Sequence, residues 1–313
     1  GRLIKMSVPF IGFEEMDSHL TWEGVTNALR DGHKLAKASI TDGFAYRGDD
    51  TLLSRAAWID GLGVAVKSAT VIPENVAKGK PMIHGGVMVF DDTHGTLEAV
   101  IDFHLVTKWK TAGDSLLGAK ILARPDSKVV LIVGAGTVAK NLISAYSHAF
   151  PDVAFLVWNR THAKAVKLAH LGSKSHEISA VKNLKKAVLQ ADIISCATMS
   201  TEPVICGEWL QAGQHVDLIG AYRPDMREVD DAALNRARVF VDSRATTIKH
   251  IGELKIPIEN GAFSAKAIQG ELYDLVAKTA KRQSDGEITL FKNGGGAHLD
   301  LMTSKYILQV WKK

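Results

Sequence analysis

The sequence predicts an α/β protein in two parts, an antiparallel α+β unit followed by a doubly wound parallel sheet. From Ser127 onward, β-rich runs alternate with helical stretches: KVVLIVG, a helix through His148, VAFLVWN, a helix from His162, then ADIISCAT, HVDLIGA and RVFVDS. Strand and helix repeated in this way imply a parallel sheet. These strands are apolar without alternation, as expected where helices cover both faces. The first 120 or so residues instead join strand-like runs across turns, which is a hairpin pattern.

In chain order, a helical opening is expected near 21–38, followed by the strand-like LGVAVKSATV and VMVFDDTHGTLEAVID, the latter turning at Asp91 to Gly95. A long helix from about Phe103 to Leu122 stops before Pro125. The carboxy-terminal LDLMTSKYILQVWKK has apolar residues at helical spacing and is expected to pack back on the first part. The domains are accordingly read as 1–124, completed by 288–313, and 125–287.

A chain of 313 residues, 46% hydrophobic and 23% charged, can build two ordinary cores. Lys and Arg exceed Asp and Glu by 38 to 34, with no dense basic run interleaved with aromatics. KNLKKA at 182–187 spaces its lysines as on the wet face of a helix, so no nucleic-acid partner is expected. The two cysteines, Cys196 and Cys206, lack metal-ligand spacing and read as reduced thiols, and no metal site is expected. No apolar run approaches the roughly 20 residues that span a bilayer, and GRLIKMSVPF lacks a charged-then-apolar layout. These features predict a soluble cytoplasmic protein with no membrane partner.

LIVGAGTVAKNL at 131–142 places Gly134, Gly136 and Ala139 in G-x-G-x-x-A after a strand and at the start of a helix, the Rossmann-type nucleotide fingerprint. Gly134 permits the tight turn, Gly136 lets the backbone approach a pyrophosphate, and Ala139 lets helix and strand pack closely. Ala135, Thr137 and Val138 complete this loop. At the end of the second strand an NAD-binding chain would carry Asp or Glu for the ribose 2′-hydroxyl, whereas here stand Trp158, Asn159, Arg160 and Thr161. A guanidinium suits a 2′-phosphate, so NADP(H) is expected as cofactor, with NAD(H) weaker.

WNRT at 158–161, TEPVICGEW at 201–209, GAYRPDMRE at 220–228, VDSR at 241–244 and KTAGDSLLGAK at 110–120 together resemble the ornithine cyclodeaminase and mu-crystallin family over nearly the whole chain. The resemblance implies a homodimer whose amino-terminal part and last helix form a dimerisation and substrate domain, beside a nicotinamide-binding Rossmann domain. It implies activity on small α-amino or α-imino acids, among them ornithine cyclisation, alanine dehydrogenation and reduction of cyclic ketimines. It also leaves open a non-catalytic protein that binds NADPH and a small ligand, as mu-crystallin binds thyroid hormone.

Two departures narrow the choice. Cyclodeaminases carry an Asp where this chain has Tyr222, and a phenol with a reference pKa near 10 is a poor general base at neutral pH. This favours imine reduction over cyclodeamination. Lys110 replaces an Arg common in relatives, keeping the charge but losing the bidentate fork. KTAGDS at 110–115 and NGGGAHLD at 293–300 resemble bacterial members that reduce Δ1-pyrroline-2-carboxylate. The expected reaction is NADPH-dependent reduction of that imine to L-proline, or of Δ1-piperideine-2-carboxylate to L-pipecolate.

That chemistry needs a carboxylate anchor and a protonated or polarised C=N group. Lys67, Lys110 and Tyr222 are the catalytic candidates. An inward-facing lysine in GVAVKSATV needs a partner, which a bound carboxylate supplies. Arg55 precedes Lys67 by an even number of residues, but an intervening turn means that parity cannot prove a shared face. His84 and His298 sit beside glycines, where a backbone can approach a ligand, and join Arg55 and Lys67 as substrate-binding candidates. Ala197, Thr198, Met199, Gly220 and Gly295 are further cofactor candidates. Asp217 and Asp225 flank the same motifs, where capping of turns is the plainer reading.

Overall fold

The structure, a computed structural model, describes residues 7–172 and 175–313. The first six residues of GRLIKMSVPF therefore lie outside the described residues. By its internal contacts the chain divides into two units: residues up to Lys110 with Gly296–Lys313, and Thr111–Gly295.

The first unit is built on a six-stranded sheet of β1 (Phe10–Ile11), β2 (Ser39–Arg47), β3 (Asp50–Ile59), β4 (Gly63–Val71), β5 (Ile83–Phe90) and β6 (Leu97–Asp102). Their order is β1-β6-β5-β4-β3-β2, antiparallel throughout except that β1 runs parallel to β6. Gly61 and Gly63 adopt positive φ where β3 turns into β4, a conformation cheap only for glycine. Along β4 every second residue is buried, namely Gly63, Ala65, Lys67 and Ala69. The final helix, Ala297–Trp311, packs against β3, β4 and the helix Trp22–Gly32. Its Met302 lies so close to Gly32 that a Cβ there would meet the sulfur at 2.5 Å.

The second unit holds eight parallel strands: β7 (Val129–Val133), β8 (Ala154–Trp158), β9 (Ile178–Ala180), β10 (Ile193–Cys196), β11 (His215–Leu218), β12 (Arg238–Val241), β13 (Ile268–Gly270) and β14 (Thr289–Lys292). The order is β13-β12-β14-β11-β10-β7-β8-β9. Strands β10, β11 and β14 are buried along their whole length, as expected where helices cover both faces of a parallel sheet. Leu131, Val133, Ile194, Val216, Leu218 and Leu290 share one core beneath the covering helices. Buried apolar area of this kind is the main stabilising contribution, at roughly 25 cal/mol per Å².

The boundaries differ from those the sequence suggests. Thr289–Lys292 was expected to belong with the first part, yet β14 lies between β11 and β12 inside the parallel sheet. The helix Phe103–Leu122 spans the expected residues, but its later turns belong to the second unit. Gly118 is what lets it approach β14, because a Cβ there would lie 2.8 Å from the Phe291 ring.

Candidate active site

In the second unit β7 leads outward through β8 and β9, while β10 and β11 extend the other way, so the winding reverses between β7 and β10. Open parallel sheets bind ligands outside the carboxyl ends of the strands at such a reversal. The glycine loop follows β7 there. Gly134 has φ of 118° and donates its N–H to the Trp158 carbonyl at 2.8 Å. A Cβ on Gly134 would stand 2.6 Å from the Ala197 carbonyl oxygen, whereas one on Gly136 would meet nothing within 4 Å. The first glycine is thus required by the fold, and the second leaves the backbone open to a ligand. Ala135, Gly136, Thr137 and Asn159, with Lys140, Lys164 and Lys167, line a cleft of about 500 Å³. Its cationic walls and bare glycine backbone fit the phosphates of a dinucleotide.

The other candidates of this unit lie along the same edge. Asn159 Nδ2 donates to the Thr161 carbonyl at 3.0 Å, shaping the turn before the helix His162–Leu171. Arg160 is exposed and Val138 is at the surface of the helix Thr137–Ala149. Ala197, Thr198 and Met199 follow β10, and Gly220 and Tyr222 follow β11. Tyr222 is 58% exposed, and the Arg223 guanidinium lies 5.8 Å from its ring centroid. Gly294 and Gly295 follow β14, and both donate their N–H groups to Asp242 at 2.8 Å.

Behind these loops sits a group of buried charges that the sequence reading passed over. Glu228 accepts from Thr198 N (2.8 Å), Thr198 Oγ1 (2.6 Å) and Gly220 N (2.8 Å). Glu253 accepts the N–H groups of Glu228 and Val229. Lys292 Nζ donates to the carbonyls of Leu218, Ala221 and Asn293. Burial, reinforced by the neighbouring Glu253, pushes the Glu228 carboxyl up, while Lys292 and the Thr198 donors favour its ionised form. Lys292 was open to the reasoning used for Lys67, since ITLFKN also carries a lysine in an apolar run. Asp217, read as a turn cap, is instead buried in β11. It accepts from Ser195, Ser115 and Tyr146, and burial raises its carboxyl to about 6. Asp225 is ion-paired with Arg223.

The first unit contains the second cluster. Lys67 and Lys110, both 5% exposed, converge on the carboxylate of Asp300, with Nζ to oxygen distances of 3.0 and 2.9 Å. Burial pulls the Lys67 ammonium down to about 7, opposed by Asp300 and helped by Lys110 and Arg55. Burial resists the charge on Asp300 as well, yet Lys110 and Lys67 hold its carboxyl below the usual range. Arg55 lies directly across from Lys67 in the β3–β4 register, so the two side chains share a face. Arg55 also pairs with Asp42 at 2.7 Å.

The two histidines part company. His84 pairs with Thr70, three residues from Lys67, and therefore lies on the opposite face of the sheet, exposed. That placement removes it from the Lys67 cluster. His298 is buried in the first turn of the last helix, edge-on to His33 at 5.8 Å. Neither of its ring nitrogens has a hydrogen-bond partner among the described residues. Burial, with His33 adding to it, lowers its imidazole to about 3 and keeps the ring neutral. Asp300 is the residue missed here: it lies in the quoted AHLD motif, but nothing in that motif says which strand its helix will face. Among the described residues no cluster of His, Cys, Asp and Glu could hold a metal, and no helix is long and apolar enough to cross a membrane.

The model of the ornithine cyclodeaminase/mu-crystallin family matches residues 56–313. The chain belongs to this family. Among family members, Δ1-pyrroline-2-carboxylate reductase of Paracoccus denitrificans is 50% identical over 310 residues, 98% of either chain. Ketimine reductase mu-crystallin of Rattus norvegicus is 34% identical over 231 residues, covering 74% of this chain and 71% of its own. Thermococcus litoralis Δ1-pyrroline-2-carboxylate reductase, solved with NADH and L-proline, superposes with a TM-score of 0.88 at 27% identity over 97% of each chain.

Proposed function

We propose that this member of the ornithine cyclodeaminase/mu-crystallin family is an oxidoreductase that reduces the C=N bond of Δ1-pyrroline-2-carboxylate to L-proline with a nicotinamide cofactor. The observation that carries the reading is the buried Lys67–Asp300–Lys110 cluster, in a chain half identical to a reductase of that name. Two ammonium groups share one carboxylate, which leaves one positive charge in excess. A substrate carboxylate would balance it, in a setting where charge-assisted hydrogen bonds are strong.

When bound, the nicotinamide supplies the hydride that adds to the imine carbon. The chain's own residues do the rest. Lys110, with Arg55 beside it, holds the substrate carboxylate. Lys67, whose proton is held with near-neutral affinity, gives it to the imine nitrogen as that nitrogen becomes an amine. His298, neutral at physiological pH, offers a hydrogen bond without adding charge. Tyr222 stands at the cofactor loops, where a phenol can donate but not act as the base that cyclodeamination needs.

NADP(H) is the preferred cofactor in this reading, because Arg160 and the three cleft lysines favour a 2′-phosphate and no carboxylate among the described residues lines the cleft. We infer a cytoplasmic homodimer as well. It would bury the face of the six-stranded sheet that carries Leu52 and Trp58, both about half exposed.

The test is the initial rate of NADPH oxidation with Δ1-pyrroline-2-carboxylate, beside pyruvate plus ammonia and an ornithine control. Fast oxidation with the cyclic imine alone is expected, and kcat/KM should fall as pH rises through about 7, where free Lys67 loses its proton. Silence with the imine despite saturable cofactor binding would sink the proposal.

A further inference from the structure

We propose that Glu228 is a positioning residue which, backed by Glu253 and Lys292, fixes the loops after β10 and β11 to receive the nicotinamide half of the cofactor. This rests on the cofactor reading above and goes beyond it by naming what holds the receiving surface.

Three observations carry it. First, one carboxylate ties the inner ends of the two loops together: it accepts from Thr198 N and Oγ1 on one oxygen and from Gly220 N on the other. Second, the carbonyls of the same region, Leu218 and Ala221, are taken by Lys292, and the backbone that carries Glu228 is itself held by Glu253. Donors and carbonyls of the loop backbone are therefore both held by buried side chains. Third, the loops are in contact, since a Cβ on Gly220 would run into the backbone of Thr198. Their outer ends nonetheless hold large side chains in the open, with Met199 70% and Tyr222 58% exposed. Clamped inner ends beneath exposed Met and Tyr side chains describe a surface prepared for a ligand ring.

The geometry makes Glu228→Gln a sharp perturbation. Both oxygens accept, so an amide must turn its NH₂ toward either Gly220 N or Thr198, and donor then faces donor. In the full chain, E228Q is expected to weaken NADPH and NADH by about tenfold, because a buried donor is left unmatched. Adenosine 5′-monophosphate, which reaches only the glycine loop and Asn159 side, should bind within about twofold of wild type, and E228D, which keeps two acceptor oxygens, should recover part of the loss. Equal weakening of dinucleotide and mononucleotide, or no change in either, overturns the proposal. Should E228Q not fold, Thr198→Val removes one donor and keeps the charge. The same selective loss then supports the assignment, and unchanged NADPH affinity defeats it. Failure of the wild-type chain to bind any nicotinamide cofactor would instead defeat the cofactor reading.

Discussion

Replacing Asp300 by Asn tests the coupling at the heart of the lysine cluster. At 3.0 Å and an effective dielectric near 20, the Lys67–Asp300 attraction is about 5 kcal/mol, equivalent to about 4 pH units of proton affinity. That is a ceiling. Asparagine keeps one acceptor oxygen, and Lys110 can relax once its own partner is gone, so about half of it, roughly 2 units, is the expected net effect. The sign follows from the charge: removing the anion disfavours the ammonium form, so Lys67 should titrate well below its wild-type value of about 7. Because kcat/KM reports the free enzyme, its alkaline limb should move from about pH 7 to about pH 5. The assay is cofactor oxidation across pH with the cyclic imine, on protein whose thermal transition shows that it is folded. A uniform drop in kcat/KM with the limb unmoved would refute both the role of Asp300 and that of Lys67 as the proton donor.

Two further outcomes follow from the dinucleotide loop. Arg160→Ala should weaken NADPH by about 10-fold to 100-fold, as expected for a lost charge-assisted contact, with little effect on NADH; equal weakening measured by nicotinamide fluorescence would remove the 2′-phosphate assignment. Gly134→Ala should lower the melting temperature and abolish cofactor binding, since φ is 118° and the new methyl would meet the Ala197 carbonyl at 2.6 Å. Gly136→Ala should leave the melting temperature unchanged and still weaken the cofactor, because its methyl enters space that no protein atom occupies.

The parallel sheet is legible in the sequence where strands are long and separated by helices. KVVLIVG announces β7 through an uninterrupted apolar run, and HVDLIGA announces β11 although His215 and Asp217 interrupt its apolar residues. β14 is not legible in this way. Its four residues follow a polar loop rather than a helix, so neither length nor alternation distinguishes them from a connection, and only pairing with β11 and β12 defines them. The site shows the same limit. The burial of Lys67 is readable because its strand neighbours are apolar at period two. Its pairing with Asp300 is not, because 233 positions separate them and which residues of a helix face a given strand depends on rotation of the packed helix. Glu228 reads as one charge in a polar motif, RPDMRE, and becomes a buried clamp only when two loops close over it.

The placement of β14 has a consequence for how the chain comes off the ribosome. Strands β11 and β12 are joined into one sheet only when Thr289–Lys292 pairs with both, and the Lys67–Asp300 pair cannot form before the helix Ala297–Trp311 exists. Both units therefore wait for Thr289–Lys292 and the helix Ala297–Trp311. Until then the nascent chain presents two unsatisfied strand edges and an uncovered sheet face, the surfaces on which unfinished proteins aggregate. A truncation just before Thr289 should be as damaging as one near residue 150.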